Sequence, residues 1–391
     1  MSRLEELIKE LCPDGVELVK LSKVLDYEQP TKYIVKTTNY DNNFKTPVLT
    51  AGQTFILGYT HETDGIYTAT KENPTIIFDD FTTSFHWVNF SFKIKSSAMK
   101  MLRVKTSKAE DTLLRYVYHC MKNINYEPVD HSRQWIGKYS EFLIPLPPLP
   151  VQEEIVRILD NFTELTAELT AELTAELTAR KKQYEYYRDS LLTFGDEVSM
   201  VPLDEVTQIG DGLHGTPQYE VNGRFYFING NNLGNGHISF YNNTKRVGSS
   251  NNNFSENTIF MSINGTIGSV ALYNNEKIML GKSVAYFNVS QKQISRKFLY
   301  YLLQTNSSKK YYEKSLTGST IKNLGLKALR QMPIPLPPLA EQKHIIDILD
   351  RFDTLCNDIS SGLPAEIKAR QQQYEYYRDK LLAFPKAEIE V

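Results

Sequence analysis

Ile144-Pro145-Leu146-Pro147-Pro148-Leu149 returns 190 residues later as Ile334-Pro335-Leu336-Pro337-Pro338-Leu339. At the same offset, Ile158-Leu159-Asp160 and Phe162 return as Ile348-Leu349-Asp350 and Phe352. Gln183-Tyr184-Glu185-Tyr186-Tyr187-Arg188-Asp189 returns as Gln373-Tyr374-Glu375-Tyr376-Tyr377-Arg378-Asp379. The offset never slips between the first landmark and the last, whereas the sequences ahead of the two copies do not match in this way. The chain therefore reads as variable 1–142, constant 143–194, variable 195–331 and constant 332–391. A weaker repeat opens each variable segment: Val16, Val19, Leu21 and Val24 match Val198, Val201, Leu203 and Val206 at an offset of 182. Each half is a whole module. Two-fold character inside one polypeptide suits two different half-sites on one long ligand.

The constant copies read as helices. Ile155, Ile158, Leu159 and Phe162 fall at i, i+3, i+4 and i+7, as do Ile345, Ile348, Leu349 and Phe352. The proline run ahead of each is an extended lead-in, which puts Glu153 and Glu154 in the first turn. Such a run also suits a peptide-binding domain, but its recurrence at one structural junction argues against that use. A Thr-Ala-Glu-Leu run follows, with Leu165, Leu169, Leu173 and Leu177 in a stripe that drifts about 40° per unit. Leu355, Ile359, Leu363 and Ile367 stand at the matching places. The two helices pair through these stripes, antiparallel if the molecule is pseudo-two-fold. Gly362 and Pro364 break or kink the second, while the first runs unbroken over 151–193, roughly 65 Å. Tyr184, Tyr187 and Leu191, with Tyr374, Tyr377 and Leu381, close the far end as packing residues.

The variable segments read as α/β mixtures. Strands are expected at Pro47–Leu57, Thr75–Phe78 and Trp87–Ile94, then at Arg224–Asn229, Thr258–Ile263 and Val284–Val289. Helices are expected at Leu113–Met121 and Phe298–Leu303. The Asn-rich loops 229–232 and 251–253 suit both base-edge reading and plain turns. The fold class is α+β: two mixed α/β domains separated by two long antiparallel helices that form a coiled-coil spacer.

At 391 residues and 41% apolar content the chain is globular, with two to three domains. No apolar run is long enough to span a membrane, and MSRLEELIKEL is amphipathic rather than a signal peptide. Cys12, Cys120 and Cys356 form no CxxC pair, which points away from disulfides and zinc and towards a reducing cytosol. The net charge of −2 hides segregation. From Phe81 to Ala109 there are six basic residues and no acid; from Lys282 to Arg330, ten and one. Either this charge neutralises phosphates on one face or it is a solvated surface.

Catalytic apparatus is missing. Gly281-Lys282-Ser283 lacks the earlier glycine of a phosphate loop, since Glu276 stands there. Neither a base-flipping methyltransferase motif nor a dinucleotide fingerprint is present. The histidines show no metal-ligand spacing. Asp79-Asp80 lacks the partners of a nuclease site and reads as structural, or as orienting the Thr82-Thr83-Ser84 loop. These absences favour a noncatalytic subunit over a self-sufficient DNA-modifying enzyme; a coiled-coil scaffold without a DNA role is the third reading.

With these residues in view, the chain resembles the specificity subunit of a type I restriction–modification system. The resemblance rests on the duplicated Ile-Pro-Leu-Pro-Pro-Leu run, the paired helices and the Thr-Ala-Glu-Leu spacer repeats. Gly210-Asp211-Gly212-Leu213-His214-Gly215-Thr216-Pro217 resembles the start of many recognition domains of that family. Phe78-Asp79-Asp80-Phe81-Thr82-Thr83 and Ser96-Ser97-Ala98-Met99-Lys100 resemble parts of another class of them. The resemblance implies two target-recognition domains, each reading half of a bipartite asymmetric site in double-stranded DNA. It implies helices that set the spacer and dock two methylation subunits, with up to two restriction (translocase) subunits joining. S-adenosylmethionine, ATP and Mg then belong to those partners, and none is bound by this chain. The expected DNA contacts are Lys93, Lys95, Lys100 and Arg133 in the first domain. In the second they are Lys282, Lys322 and Arg330 on phosphates, with Asn231, Asn232, Ser319 and Thr320 positioning or reading. Trp135 and His214 are read either as groove contacts or as residues packed at a domain edge. No residue is assigned to metal or catalysis, no membrane is involved, and the expected location is cytoplasmic.

Overall fold

Both proline runs lead in as strands. In the computed structural model, which describes residues 2–52, 54–234, 236–250, 254–318, 321–357 and 362–384, Leu143–Pro145 pairs antiparallel with Leu18–Lys20. Pro333–Pro335 pairs with Met200–Pro202 in the same register, Val201 facing Ile334 as Val19 faces Ile144. Each ladder has only two strands, so the prolines cost it little pairing. The two offsets of the sequence repeat are thus joined in space, the start of each module closing against its end.

A glutamine locks each closure. Gln152 is fully buried. Its Nε2 donates to the carbonyls of Pro147 (2.7 Å) and Asp111 (2.8 Å), and its Oε1 accepts from the Leu113 N–H (2.9 Å). Gln342, equally buried, donates to Pro337 (2.8 Å) and Gln293 (2.9 Å) and accepts from the Ser295 N–H (2.8 Å). Leu113 and Ser295 precede the helices Leu114–Lys122 and Arg296–Leu302, so one amide serves both a helix start and the proline run. About two turns further along the constant helix stands an aspartate. Asp160 accepts from Arg115 and His119, and Asp350 accepts from Lys297 and Tyr301. The donors again correspond at an offset of 182, the acceptors at 190. The extra residues of the second module therefore lie between its helix and its proline run, where Asn306–Ser315 and Leu326–Arg330 add two more helices.

The modules share a plan that their sequences do not advertise. The first has a four-stranded antiparallel sheet, in the order Leu25–Glu28, Met99–Val104, Thr75–Asp79, Phe85–Val88. Beside it lies a three-stranded sheet of Ile56–Thr60, Thr46–Leu49 and Lys93–Ile94, whose last pair is parallel. The second has the order Thr207–Asp211, Val284–Val289, Thr258–Ser262, Val270–Leu272, with a three-stranded sheet of Arg246–Val247, Phe225–Ile228 and Ile278–Leu280. Two expected strands divide. Pro47–Leu57 is a hairpin, because Thr50 Oγ1 accepts from the Gly52 N–H and donates to the Thr54 carbonyl, turning the chain. Trp87–Ile94 is split between the two sheets, since Phe92 bridges to Tyr67 instead.

The first constant helix is unbroken over Leu149–Leu191. It starts earlier than expected, so Glu153 and Glu154 fall past the first turn; Glu154 is buried and held by Arg157 at 2.7 Å. The second copy is two helices, Leu339–Asn357 and Leu363–Leu381, with Pro364 at the second helical position, where a missing N–H is harmless. The chain forms two compact units, 1–170 with 369–391 and 171–368. Each has a core that includes its constant residues. Ile144, Val151, Ile155 and Leu159 are buried in the first, and Ile334, Ile345, Leu349 and Cys356 in the second.

The leucine stripe needs correction. Leu165 is 62% exposed and Leu355 is exposed too, while Leu169, Leu173, Leu177, Leu363 and Ile367 are half-buried. Ile359 lies outside the described residues. Three steps of four residues turn a stripe through about 120°, more than one contact face covers. Aromatic pairs also join the helices. Phe162 stacks on Tyr377 in the first unit (5.7 Å, 4°), and Tyr187 on Phe352 in the second (5.3 Å, 26°). These are the same two repeat positions with their partners exchanged.

Replacing Gln342 by Met keeps the volume but strands one N–H and two carbonyls in a dry site. A loss of about 2–3 kcal/mol is expected in urea unfolding of the full chain; an unchanged midpoint would remove the clamp.

Candidate nucleic-acid interface

Three of the five DNA contacts expected in the first domain are internal. Lys93 and Lys100 are each 1% exposed. The Lys93 ammonium lies 3.0 Å from Glu62 Oε2 and donates to the Asp64 carbonyl at 2.7 Å. The Lys100 ammonium lies 3.1 Å from Asp80 Oδ2 and 4.4 Å from the centre of the Tyr27 ring. Withdrawing either lysine to a phosphate would leave a buried carboxylate without its ammonium partner, which is strongly destabilising. Trp135 is also buried, its ring against Phe78 and Tyr139 and its backbone N–H on Asp80 Oδ1 at 2.7 Å. All three are structural and are withdrawn as DNA contacts.

Asp80 is the centre of this arrangement. Besides Lys100 it accepts from the Gln134 and Trp135 N–H groups and from Arg133 Nη1 at 3.3 Å. Asp79 holds the adjoining turn by accepting from the Phe81 and Thr82 N–H groups, and Thr83 there has φ +58°. The acid-free run of the sequence is not acid-free in space: Lys105 meets Asp26 at 3.7 Å and Lys108 meets Asp111 at 3.6 Å. Lys95 remains exposed beside Tyr40, and Arg133 keeps half its side chain in solvent.

The second domain behaves differently. A row of hydrogen bonds brings distant segments to one edge. Lys282 donates its N–H to Leu213, Ile263 to Ser283, Leu324 to Ile263, and Gly265 to Lys322. Gly230 donates to Ser283 Oγ at 3.0 Å. His214, Lys282, Lys322 and Asn231 therefore lie on neighbouring segments, and all four are exposed. His214 is held 2.7 Å from Asp211 Oδ2. Asn232 is withdrawn: it is buried, its Oδ1 accepting from the Asn229 N–H and its Nδ2 donating to the Ser239 carbonyl. Arg330 is exposed and donates to the Ile209 carbonyl at 3.2 Å. Ser319 and Thr320 lie outside the described residues. The sequence reading missed the segment Phe240–Arg246, which borders the same edge. Its signal was aromatic, amide and basic residues in close succession, Phe240-Tyr241-Asn242-Asn243-Thr244-Lys245-Arg246.

The three cysteines are free and buried. Among the described residues no cluster of metal-ligating side chains is present, and no helix is long and apolar enough to cross a membrane.

Asp80→Ala leaves the Lys100 charge buried without its acid. It is expected to destabilise the chain by about 3–5 kcal/mol in urea, whereas Lys95→Ala should leave the unfolding midpoint in place.

The family described as Type I restriction modification DNA specificity domain matches residues 13–179 and 195–369. The chain is 43% identical, over 99% of its own length and 98% of the relative's, to the EcoR124I/EcoR124II specificity subunit of Escherichia coli. It is 30% identical, over 85% of its length and 86% of the relative's, to a putative type I specificity subunit of Haemophilus influenzae. A solved structure from a study of type I R-M complex assembly and conformational transition shares the fold, with TM-score 0.64, 17% identity, and coverage of 94% of this chain and 97% of that one. Duplicated modules, two unlike mixed domains and these matches agree: the chain belongs to the type I restriction–modification DNA specificity family, as a DNA-binding, noncatalytic subunit.

Proposed function

We propose that each mixed domain reads one half of a bipartite, asymmetric site in duplex DNA, while the constant helices set the distance between the halves. By role the chain divides at 1–142, 143–194, 195–331 and 332–391, two recognition domains and two helical regions. The observation that carries this reading is the exchange of partners between Phe162·Tyr377 and Tyr187·Phe352. Exchanged contacts between equivalent positions are the mark of an isologous, two-fold pairing, here a pseudo-two-fold antiparallel coiled coil. The loops that fail to repeat then make the two half-sites different. Lys and Arg side chains on phosphates fix register, and base-edge contacts carry sequence.

The same repeat supports two copies of one partner. Tyr186 and Tyr376 are 69% and 62% exposed, an offset of 190 apart. Two equal patches suit two methylation subunits, which would bring S-adenosylmethionine; up to two restriction subunits would bring ATP and Mg. The site of action is the cytoplasm.

Two outcomes follow. Deleting one Thr-Ala-Glu-Leu unit removes about 6 Å of helix, and a base-pair step is about 3.4 Å. The spacer in the methylated motif is expected to shorten by one or two base pairs with both half-sites unchanged, as read by mapping methylated sites in host DNA. Retained activity with the same spacer would sink the ruler. Tyr186→Ala and Tyr376→Ala should each weaken one methylation subunit's binding, giving complexes with one partner in place of two by mass measurement.

A further inference from the structure

Two adjoining concavities, about 800 and 390 Å³, open on the second domain and share Tyr219, Tyr241, Asn243, Thr244 and Lys245. Asn229 and Asn231 line the smaller one and lead directly to the row that carries Lys282 and Lys322. The wall is rigid. The turn at its tip is closed by the Thr244 N–H on the Tyr241 carbonyl and the Tyr241 N–H on Thr244 Oγ1, which leaves the side chains of Asn242 and Asn243 in solvent. Arg246–Val247 then joins the sheet beside Phe225–Ile228.

The cations here differ from those of the first domain. Lys245 lies 4.4 Å from the Tyr219 ring centre and Arg246 4.5 Å from that of Tyr226, with Arg246 Nη2 on Tyr226 Oη. Among the described residues neither is ion-paired, and both are exposed. The one acid lining the concavity, Glu220, turns its carboxylate over Gly248. Tyr219, Phe240 and Tyr241 are exposed as well. A small-molecule site would be enclosed and mostly apolar. This surface is open and combines unneutralised cations, exposed aromatic rings and free amides, the chemistry that meets a duplex groove.

We propose that the 240–246 loop and the 229–231 turn form the duplex-contacting surface of the second domain. Lys245 and Arg246 meet phosphate oxygens, and Asn231 and Asn243 meet base edges, adenine being the base whose N6 and N7 an Asn amide matches in two bonds. The assignment rests on the reading of this domain as a half-site reader.

The test uses the full chain with the methylation subunit of its own system. Methylated sites in host genomic DNA first define the two half-sites for the unaltered chain. In Asn231→Ala/Asn243→Ala, one half-site is expected to lose discrimination at one or two positions by about 5- to 150-fold, the other half and the spacer staying as they were. Lys245→Ala is expected to weaken binding to all duplexes alike and to lower the slope of log affinity against log salt by about 1, with both half-sites still legible. Two intact half-sites in the double variant, with unaltered salt dependence in Lys245→Ala, would overturn the assignment and leave half-site reading standing. If the unaltered complex methylates no bipartite sequence, half-site reading itself fails and takes this assignment with it.

Discussion

The buried amide of Gln152, and of its counterpart Gln342, is the joint on which each module hangs. An extended proline run has carbonyls but few N–H groups, and a helix start has N–H groups without carbonyls. Burying both would leave orphans on each side. One side-chain amide satisfies both at once, because it alone offers a donor pair and an acceptor on one rigid plane. Its hydrogen bonds to the variable module go to main-chain atoms of Asp111, Leu113, Gln293 and Ser295. The identity of the side chains at those positions is then free to change. The same frame holds two unlike modules for this physical reason.

The aspartates add a second fixed point with more tolerance. Asp160 takes Arg115 and His119, Asp350 takes Lys297 and Tyr301. In each case a cation and a ring donor, one helical turn apart, share one carboxylate. Burial pushes the His119 imidazole down even with Asp160 beside it, so the ring donates as a neutral group. Burial, with Asp350 beside it, pushes the Tyr301 phenol up and keeps its proton on oxygen. Chemically different partners fill one geometric role.

Charge in the two domains is spent differently. In the first, carboxylates at 62 and 80 draw Lys93 and Lys100 inside as buried ion pairs. In the second, Lys245, Lys282 and Lys322 stay in solvent along one edge. Counting basic residues along a sequence treats these lysines alike. A salt bridge formed across 20 to 31 residues of sequence is invisible to such a count, and this is why Lys93 and Lys100 failed as expected contacts while Lys95 and Arg133 stayed in solvent.

The periodic signals were legible without a structure. The two offsets, the helices beginning near the proline runs, the break near Gly362 and most strand centres follow from local spacing, since helix and strand periods and proline's missing N–H act over a few residues. The family resemblance was legible for the same reason, its landmarks being contiguous runs. Tertiary structure alone decided the rest. It turned Leu165 outwards, because a four-residue repeat does not match a 3.6-residue turn. It buried Lys93, Lys100 and Trp135, because acids and rings far away in sequence meet them there. It gathered His214, Asn231, Lys282 and Lys322 on one edge through backbone hydrogen bonds between segments the sequence keeps apart. Local periods are written in neighbouring residues; partners and exposure are settled only when distant segments pack.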